Sequence, residues 1–516
     1  MPSEGELLER GYFPREVQPP FVSSTFARVG VKLTEAEVSS AATSRWWTAP
    51  TKHNLARPGG MRRPLAIPNP LGYLKVARQV GLAWPTHLEP IIRGSVLAGS
   101  KLVPSTGLRT VKAAFSNADQ LMLRAERRRG ARYLLKADVQ SFYPSIYTHA
   151  IDWAIHGKAA AKAATTKTVG AEIDRMFRGA QDGQSVGIPI GPDASLIIAE
   201  CMMTRIEEAL AARLPGLTGY RFWDDFELSF GSLGEAEESL GILQEALGAY
   251  ELMLNPRKTE IIELPDPLLT DGIFEFMTWD LSSTSRGQRR QLVGYFDTLS
   301  TSIAANPGRN VAAYGVARLR SAKIRPENWV FVQNNLLQLL VAEPSCARFV
   351  AEILGRAATA GHLIDRAVIA EAVERLTQKH APLGHGSEIA WALWLSLAHG
   401  IPLTKATADS IAGLPDNLVA LLALHASDSG WIPTGLDTSI WESYMTTPEL
   451  RGPNWLLAYE ASIKGWLPSL GVADHIAGDA FFRLLRHKGV SFYDVTKLSL
   501  EPALIPEASG QMSTAM

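Results

Sequence analysis

Two adjacent carboxylates, Asp224 and Asp225, lie between apolar runs in the segment 219–230, GYRFWDDFELSF. The apolar and aromatic residues on either side predict two short strands, so the aspartates are expected at the tip of a β-hairpin. Like charges at one turn repel each other, and a divalent cation removes that repulsion. A third carboxylate, Asp138, ends another strand-like run, 132–138. Three carboxylates from two strands form a ligand set suited to Mg²⁺ in a two-metal phosphoryl-transfer site.

The composition is that of an ordinary globular chain of 516 residues, long enough for two or three domains. Its two cysteines, Cys201 and Cys346, argue against a disulfide framework and favour a reducing compartment. No signal peptide is visible at the N-terminus, and no uncharged apolar run reaches the ~18 residues that a membrane span needs. We therefore expect a cytoplasmic protein without a membrane partner.

Charge is distributed unevenly along the chain. Residues 1–136 contain 21 lysines and arginines against 9 aspartates and glutamates, whereas residues 137–290 contain 13 against 23. A basic segment beside an acidic one fits a phosphate-binding surface that faces a metal-binding carboxylate cluster. Chance variation among solvated faces explains the charges equally well, so the pattern supports a nucleotide or nucleic-acid partner without establishing one.

The order of predicted elements indicates an α+β fold with helices on one face of a sheet. The elements are a strand ending at 138, helices near 169–180 and 193–213, the Asp-Asp hairpin, a helix near 234–250 and a strand at 259–264. Upstream, residues 1 to about 60 contain many prolines and paired glycines, and we expect them to be irregular.

Beyond residue 300 the pattern becomes helical. Amphipathic segments separated by short Gly/Pro turns are predicted at 326–341, 344–357, 365–378, 387–399 and 416–426. Their starts are about 20 residues apart, which suggests stacked helix pairs in a HEAT-like array, although the sequence contains no strict repeat. The last residues, 501–516, are expected to fray.

Four motifs resemble, in order and spacing, those of the reverse transcriptases. They are 136–146 (KADVQSFYPSI) for motif A, 187–195 (GIPIGPDAS) for motif B, 222–225 (FWDD) for motif C and 254–259 (LNPRKT) for motif D. Within that family, three further segments resemble the defence-associated, abortive-infection group typified by AbiK: 11–14 (GYFP), 147–158 and 454–460. The resemblance covers most of the chain and is most specific over 130–262.

The resemblance implies a right-hand polymerase, with fingers and palm, followed by an all-α HEAT-like helical domain. The expected divisions are 1–130 for the fingers and N-terminal region, 131–290 for the palm and the start of the thumb, 291–500 for the helical domain and 501–516 for a flexible tail. The implied activity is that of a bacterial antiphage reverse transcriptase that joins dNTPs into DNA.

In such a centre, Asp138 and Asp224 would bind two Mg²⁺ ions, or Mn²⁺ in their place. Asp225 would be a nearby or partial ligand, and the backbone carbonyl of Val139 would be a further one. Lys258 would lie near the leaving pyrophosphate as a charge partner or proton donor.

The resemblance also implies a nucleotide pocket around these carboxylates. Tyr143 takes the steric-gate position and would exclude a 2′-hydroxyl, which favours dNTPs over NTPs. Neighbouring Phe142 is expected in the core, because alternate strand residues face opposite sides. The other expected pocket residues are Arg62, Arg63, Ile190, Gly191, Ser195 and Trp223. For the two arginines, a solvated surface pair is the alternative.

Two positions depart from the family pattern. Motif B has Ile190 where most reverse transcriptases have Gln, which removes a polar group beside the nucleotide. Motif C has Phe222-Trp223 where the signature begins with Tyr and a smaller residue, which narrows the room for a primer terminus and offers a stacking face. Both departures speak against conventional templated copying.

Members of the abortive-infection group make DNA with little or no template and attach it to a protein hydroxyl. Tyr444, Tyr459 and Tyr493 are therefore candidate priming residues. An associated noncoding RNA as template is the alternative, and the helical array favours a homo-oligomer. Two other functions stay open: an RNA-dependent RNA polymerase with the same palm, and a non-catalytic helical scaffold with a vestigial palm.

Overall fold

Helices make up most of the regular structure in the computed structural model, which describes residues 2–41, 46–269, 273–433 and 435–499. The predicted fraying of 501–516 lies outside these residues. The main sheet of the described chain has four antiparallel strands, which lie side by side in the order Thr218–Phe222, Asp225–Phe230, Tyr133–Asp138 and Glu260–Glu263. Its strands come from residues 133–263, so the sheet coincides with the region that contains the four motifs.

The N-terminal region consists of short helices and two small hairpins. Its elements are α1 (Glu4–Glu9), α2 (Ser24–Gly30), α3 (Glu35–Ala41), β1 (Thr51–Ala56), β2 (Arg62–Ile67), α4 (Pro70–Ala83), α5 (Glu89–Gly94), β3 (Leu102–Pro104), β4 (Val111–Ala113) and α6 (Asn117–Arg127). The prediction of an irregular segment over residues 1–60 is therefore wrong. The prolines flank the elements, as Pro50 and Pro58 flank β1, and do not interrupt them. A capping box of Ser3 and Glu6 starts α1.

The palm region alternates strands and helices as predicted, and the α+β assignment is confirmed. Its elements are β5 (Tyr133–Asp138), α7 (Phe142–Ser145), α8 (Ala150–His156), α9 (Lys158–Ala163), α10 (Val169–Gly179), α11 (Asp193–Arg213), β6 (Thr218–Phe222), β7 (Asp225–Phe230), α12 (Leu233–Gly248) and β8 (Glu260–Glu263). Helix α12 packs across β5, β7 and β8, and α11 packs against α12. Helices thus bury one face of the sheet, and polar groups can lie at the ends of its strands.

The C-terminal region is helical, and the five helices predicted from amphipathic spacing are confirmed. Its elements are α13 (Ile273–Met277), α14 (Ser285–Ala305), α15 (Val311–Arg318), α16 (Pro326–Ala342), α17 (Ala347–Thr359), α18 (Arg366–His380), α19 (Gly386–His399), α20 (Lys405–Ile411), α21 (Asn417–Asp428), α22 (Ser439–Ser443), α23 (Trp455–Ile463) and α24 (Ala480–His487). Helices α18, α19, α21 and α23 pack in succession. A HEAT-like array stays a prediction. None of the described helices has the length and apolarity required to span a bilayer.

The β1–β2 hairpin, hereafter the fingers hairpin, is held by the C-terminal helices along its length. His53 Nδ1 lies 2.8 Å from Asp416 Oδ2, and Asn54 donates to the carbonyl of Gly384 at 2.7 Å. At the turn, a Cβ placed on Gly59 would lie 3.1 Å from the Cα of Gly308. The hairpin and the C-terminal helices therefore form one packed unit, although they are far apart in sequence.

Contacts also join the two ends of the described chain. Phe21 forms an isolated antiparallel bridge with Tyr493, and the Asp494 N–H donates to the carbonyl of Pro20 at 2.8 Å. Thr25 donates through its hydroxyl to the carbonyl of Ser491 at 2.6 Å. The expected divisions at 130, 290 and 500 stay a prediction; these contacts link residues 20–25 with residues 491–494 and so span the divisions at 130 and 290.

Candidate active site

The three predicted carboxylates meet at one end of the main sheet. Asp138 ends β5 and lies opposite Asp225, the first residue of β7, in the antiparallel register. Asp224 occupies the turn between β6 and β7, and its carbonyl accepts a hydrogen bond from the Val139 N–H at 3.2 Å. The register of two strands, rather than a flexible loop, therefore fixes the positions of all three carboxylates.

The carboxylates interact strongly with one another. Burial, reinforced by the charge of Asp138, raises the pKa of Asp224 to about 6. Burial and the charge of Asp224 raise the pKa of Asp225 well above its usual value, and Asp225 is close enough to Asp138 to share a hydrogen bond. Without a counter-ion the cluster therefore retains protons at a pH where carboxyl groups are normally ionised. Three carboxylates whose oxygens lie this close together can bind one or more divalent cations.

Two residues of motif D hold Asp138 from the other side. Lys258 Nζ lies 3.1 Å from Asp138 Oδ2, and the Asn255 side-chain amide donates to Asp138 Oδ1, also at 3.1 Å. The Asn255 N–H donates to the Asp138 carbonyl at 2.7 Å. Motif D thus supplies a cation within reach of the carboxylates, and the predicted role of Lys258 at the leaving pyrophosphate stays a prediction.

The turn before Asp224 is strained and supported by a buried network. Trp223 has a φ of +54°, which side chains other than glycine rarely adopt. Its N–H donates to Ser100 Oγ at 2.9 Å, and its carbonyl accepts from Arg221 Nη1 at 2.6 Å. Both hydrogen bonds come from residues that no sequence motif singled out. They fix the backbone on which the first aspartate of the pair is placed.

Arg221 is itself buried completely within an ion triad. Its guanidinium pairs with Glu200 at 2.8 Å and with Glu207 at 2.5 Å, and all three side chains are almost wholly removed from solvent. Ser95 and the backbone of residues 96–97 satisfy the remaining oxygen of Glu207. Because buried charges are costly unless they are paired, the fold requires all three members of this triad together. Its only sequence signal is charged residues at otherwise apolar positions of α11 and β6.

The motif B loop is held in place by the N-terminal segment 11–14. Gly191 has a φ of +128°, and a Cβ at this position would overlap the Cγ of Pro14. Arg109 donates to the Gly191 carbonyl at 2.6 Å and forms an ion pair with Asp193, which begins α11. The glycine is therefore required both by its backbone angle and by the close approach of the segment.

The other predicted motif B residues contribute backbone and hydroxyl groups. The Ile190 carbonyl accepts from the Ala66 N–H of the fingers hairpin at 2.9 Å. Ser195 is buried, and its hydroxyl has no hydrogen-bond partner among the described residues. The motif B loop thus connects the fingers hairpin to the palm. The Ser195 hydroxyl, in the first turn of α11, is left without a partner among the described residues.

Tyr143 is half-buried and lies beside the carboxylates. Burial, together with the charge of Asp224, raises the pKa of its hydroxyl, so this group stays protonated at neutral pH. Its carbonyl accepts from the Ile188 N–H at 2.9 Å, which ties it to the motif B loop. Phe142 is buried as predicted, but the reason given was wrong, because both residues lie in a helical turn, α7, and not in a strand.

The structure separates the two predicted fingers arginines. Adjacent residues of a strand point to opposite faces, and both lie on β2. Arg62 forms a bidentate ion pair with Glu388 of α19, at 2.5 and 2.7 Å, and therefore faces the C-terminal helices. Arg63 lies on the opposite side of the strand, near enough to the carboxylate cluster for its charge to oppose the rise in the Asp224 pKa that burial and Asp138 cause. Burial and the charge of Arg63 lower the pKa of Arg57 to about 10. Arg57 is therefore a second cation close to Arg63.

The three candidate priming tyrosines have very different environments. Tyr459 is fully buried and donates to the Val490 carbonyl at 2.8 Å. Tyr493 is 1% exposed, and its hydroxyl lies 3.0 Å from His425 Nδ1. Tyr444 is half-buried in the turn after α22. In this conformation, only Tyr444 of the three has a side chain that reaches the surface.

Comparison with known proteins agrees with this geometry. Residues 100–291 match the family model described as reverse transcriptase (RNA-dependent DNA polymerase), a range that contains all three carboxylates and motifs A to D. The chain therefore contains a reverse transcriptase domain, the catalytic domain of an RNA-directed DNA polymerase.

A solved structure similar to this one is that of telomerase from Candida albicans in complex with a TWJ fragment of telomeric RNA. It is 10% identical in sequence, with a TM-score of 0.27, and the similarity covers 68% of this chain and 67% of that chain. No curated protein sequence matches the chain.

Proposed function

We propose that this protein polymerises dNTPs into DNA by two-metal phosphoryl transfer. The observation that carries the proposal is the meeting of Asp138, Asp224 and Asp225 at one sheet end inside a reverse transcriptase domain. The raised pKa values of Asp224 and Asp225 are those of carboxylates placed to share a cation. A vestigial palm would have no reason to retain this mutual repulsion.

Each residue of the cluster has a distinct role in this proposal. Asp138 and Asp224 would bind the two ions, Asp225 would be a partial ligand, and the carbonyl of Val139 would complete the set. Two Mg²⁺ or Mn²⁺ ions, when bound, lower the pKa of the attacking hydroxyl and neutralise the triphosphate. Lys258, now paired with Asp138, offers its charge or its proton to the pyrophosphate that leaves.

Selection of the nucleotide falls to the residues around this cluster. Tyr143 lies beside Asp224 and would collide with a 2′-hydroxyl, so the substrate is a dNTP. Arg63 faces the cluster and would pair with the triphosphate, whereas Arg62 supports the hairpin through its pairing with Glu388. Ile190, Gly191, Ser195 and Trp223 would form the walls of the pocket.

The finer biological role follows from the abortive-infection motifs. We propose a bacterial cytoplasmic enzyme of antiphage defence that acts as a homo-oligomer, with a HEAT-like helical domain. The DNA would be made without a template or on an associated noncoding RNA. If synthesis is protein-primed, Tyr444 is the residue that the structure favours, because the hydroxyls of Tyr459 and Tyr493 are enclosed.

The test of activity is incorporation of labelled nucleotides by purified protein with Mg²⁺, with and without RNA that copurifies. Wild type should incorporate dNTPs in preference to NTPs, and Asp224→Asn should not. Absence of incorporation by wild type under both conditions would contradict the proposal, and a preference for NTPs would select an RNA polymerase instead.

Priming and defence need separate measurements. Product that stays bound to protein after denaturation, and that maps to a Tyr444 peptide, would establish protein priming; free product would exclude it. Plating of phages on cells that express wild type or Asp224→Asn tests defence. Equal plating on both strains would remove the defence role without affecting the assignment of the polymerase.

A further inference from the structure

A compact group of histidine and glutamate side chains lies outside the polymerase site, at the turn between α18 and α19. His380 is the last residue of α18, His385 precedes α19, and Glu388 lies in its first turn. The two Nδ1 atoms are 2.9 Å apart, and they lie 3.5 Å (His380) and 3.7 Å (His385) from Glu388 Oε1. His380 and Glu388 are buried, and His385 is half-buried.

These three distances match the face of a metal coordination shell. Ligands that lie ~2.0–2.1 Å from a tetrahedral Zn²⁺ are separated from one another by about 3.3 Å. An N–H···N hydrogen bond accounts for the contact between the two Nδ1 atoms, but it does not include Glu388 Oε1, which lies 3.5 and 3.7 Å from them. An imidazole nitrogen that carries no proton has a lone pair that can bind a metal.

The surrounding residues hold the group in this arrangement. Arg62 of the fingers hairpin binds both oxygens of Glu388 and so fixes the carboxylate. A carboxylate has about four acceptor positions, so this pairing leaves one on Oε1 for a cation. Asp416 packs against Gly386, where a Cβ would overlap its carboxylate, and this contact fixes the backbone between the two later ligands. Fixed outer partners of this kind are typical of metal ligands.

We propose that His380, His385 and Glu388 bind one Zn²⁺ ion through the two Nδ1 atoms and Oε1, with the fourth position left to water. Imidazole nitrogen favours zinc over magnesium, whereas the all-oxygen aspartate cluster favours magnesium. The two sites therefore take different metals. The zinc site closes the α18–α19 turn, and through Glu388 and Arg62 it stabilises the fingers hairpin.

The test measures metal and not polymerisation. Full-length protein without an affinity tag is loaded with Zn²⁺, gel-filtered and analysed for bound zinc by mass spectrometry. Wild type and Asp224→Asn should retain about one zinc per chain, which separates this site from the polymerase centre. His385→Ala should lose it, and the control His399→Ala, a histidine of the same helix outside the group, should retain it.

A second measurement needs no variant. Co²⁺ titrated into zinc-free wild type should give the intense visible absorption of a low-symmetry, near-tetrahedral site, and Zn²⁺ should abolish it. Zinc retention in wild type no greater than in His385→Ala, or a Co²⁺ spectrum of octahedral type only, would overturn the proposal.

Discussion

Replacement of Asp224 by asparagine should stabilise the metal-free protein while it removes polymerase activity. The pKa of this carboxyl is raised from 3.8 to about 6 by burial and by Asp138. The shift is about 2 pKa units, and at ~1.36 kcal/mol per unit it corresponds to ~3 kcal/mol of destabilisation when the group is ionised. A raised pKa gives stability that is complete below pH ~4 and is lost as the pH rises through 6.

The wild type should therefore be less stable than Asp224→Asn at pH 8 without metal, by up to ~3 kcal/mol, and the difference should shrink towards pH 4. Urea unfolding followed by tryptophan fluorescence measures both proteins at the two pH values. Saturating Mg²⁺ should close the gap, because a ligand at 100 times its dissociation constant stabilises a protein by ~2.7 kcal/mol. Asp297→Asn, an exposed position on α14, is the matched control.

An Asp224→Asn variant that is less stable than wild type at pH 8 without metal would refute this reasoning. Such a result would mean that the carboxylate is stabilised by hydrogen bonds and nearby cations more than it is destabilised by burial and repulsion. It would also remove the electrostatic argument for a shared cation, since that argument rests on the same repulsion.

Three further predictions concern the supports and walls of the site. Arg221→Met leaves two buried glutamates unpaired and should cost ~3–5 kcal/mol of stability in urea unfolding; an unchanged midpoint would show that the triad is not structural. Gly191→Ala should slow dNTP incorporation through a strained backbone and overlap with Pro14, a cost of about 1–3 kcal/mol, whereas Gly355→Ala, which has open space around it, should behave as wild type. Tyr143→Ala should reduce the preference for dNTPs over NTPs by about tenfold or more, measured by competition, and an unchanged preference would mean that another group selects the sugar.

The sequence was most informative where a local pattern determines a local structure. The hairpin that carries Asp224 and Asp225 could be predicted because apolar runs on both sides of a polar turn have few alternatives. Ser232 caps the N-terminus of helix α12, and its capping box with Glu235 is also readable from the sequence. The placement of Asp138 opposite Asp225 follows once the two strands are known to pair.

Interactions between distant segments could not be predicted in this way. Arg62 and Glu388 are 326 positions apart, and no local sequence pattern around either residue indicates that they pair. The burial of Tyr459 and Tyr493 depends on how the chain ends pack, which amphipathic spacing does not specify. Strand β1 was not predicted because Pro50 and Pro58, on either side of it, are typical of a loop. The pairing of β1 with β2 shows that both prolines lie outside the hydrogen-bonded ladder.

The anchored fingers hairpin affects how substrate reaches the site. A swing of the hairpin away from the palm would break the ion pair of Arg62 with Glu388, the hydrogen bond between His53 and Asp416, and the backbone bond from Ala66. Charge-assisted hydrogen bonds contribute ~1.5–3 kcal/mol each, so this opening would cost several kcal/mol. Under the proposed function, a nucleotide would therefore reach the carboxylate cluster past a hairpin that is already fixed. Any partner that shifts the C-terminal helices would shift this hairpin with them, and would so change the rate of each addition.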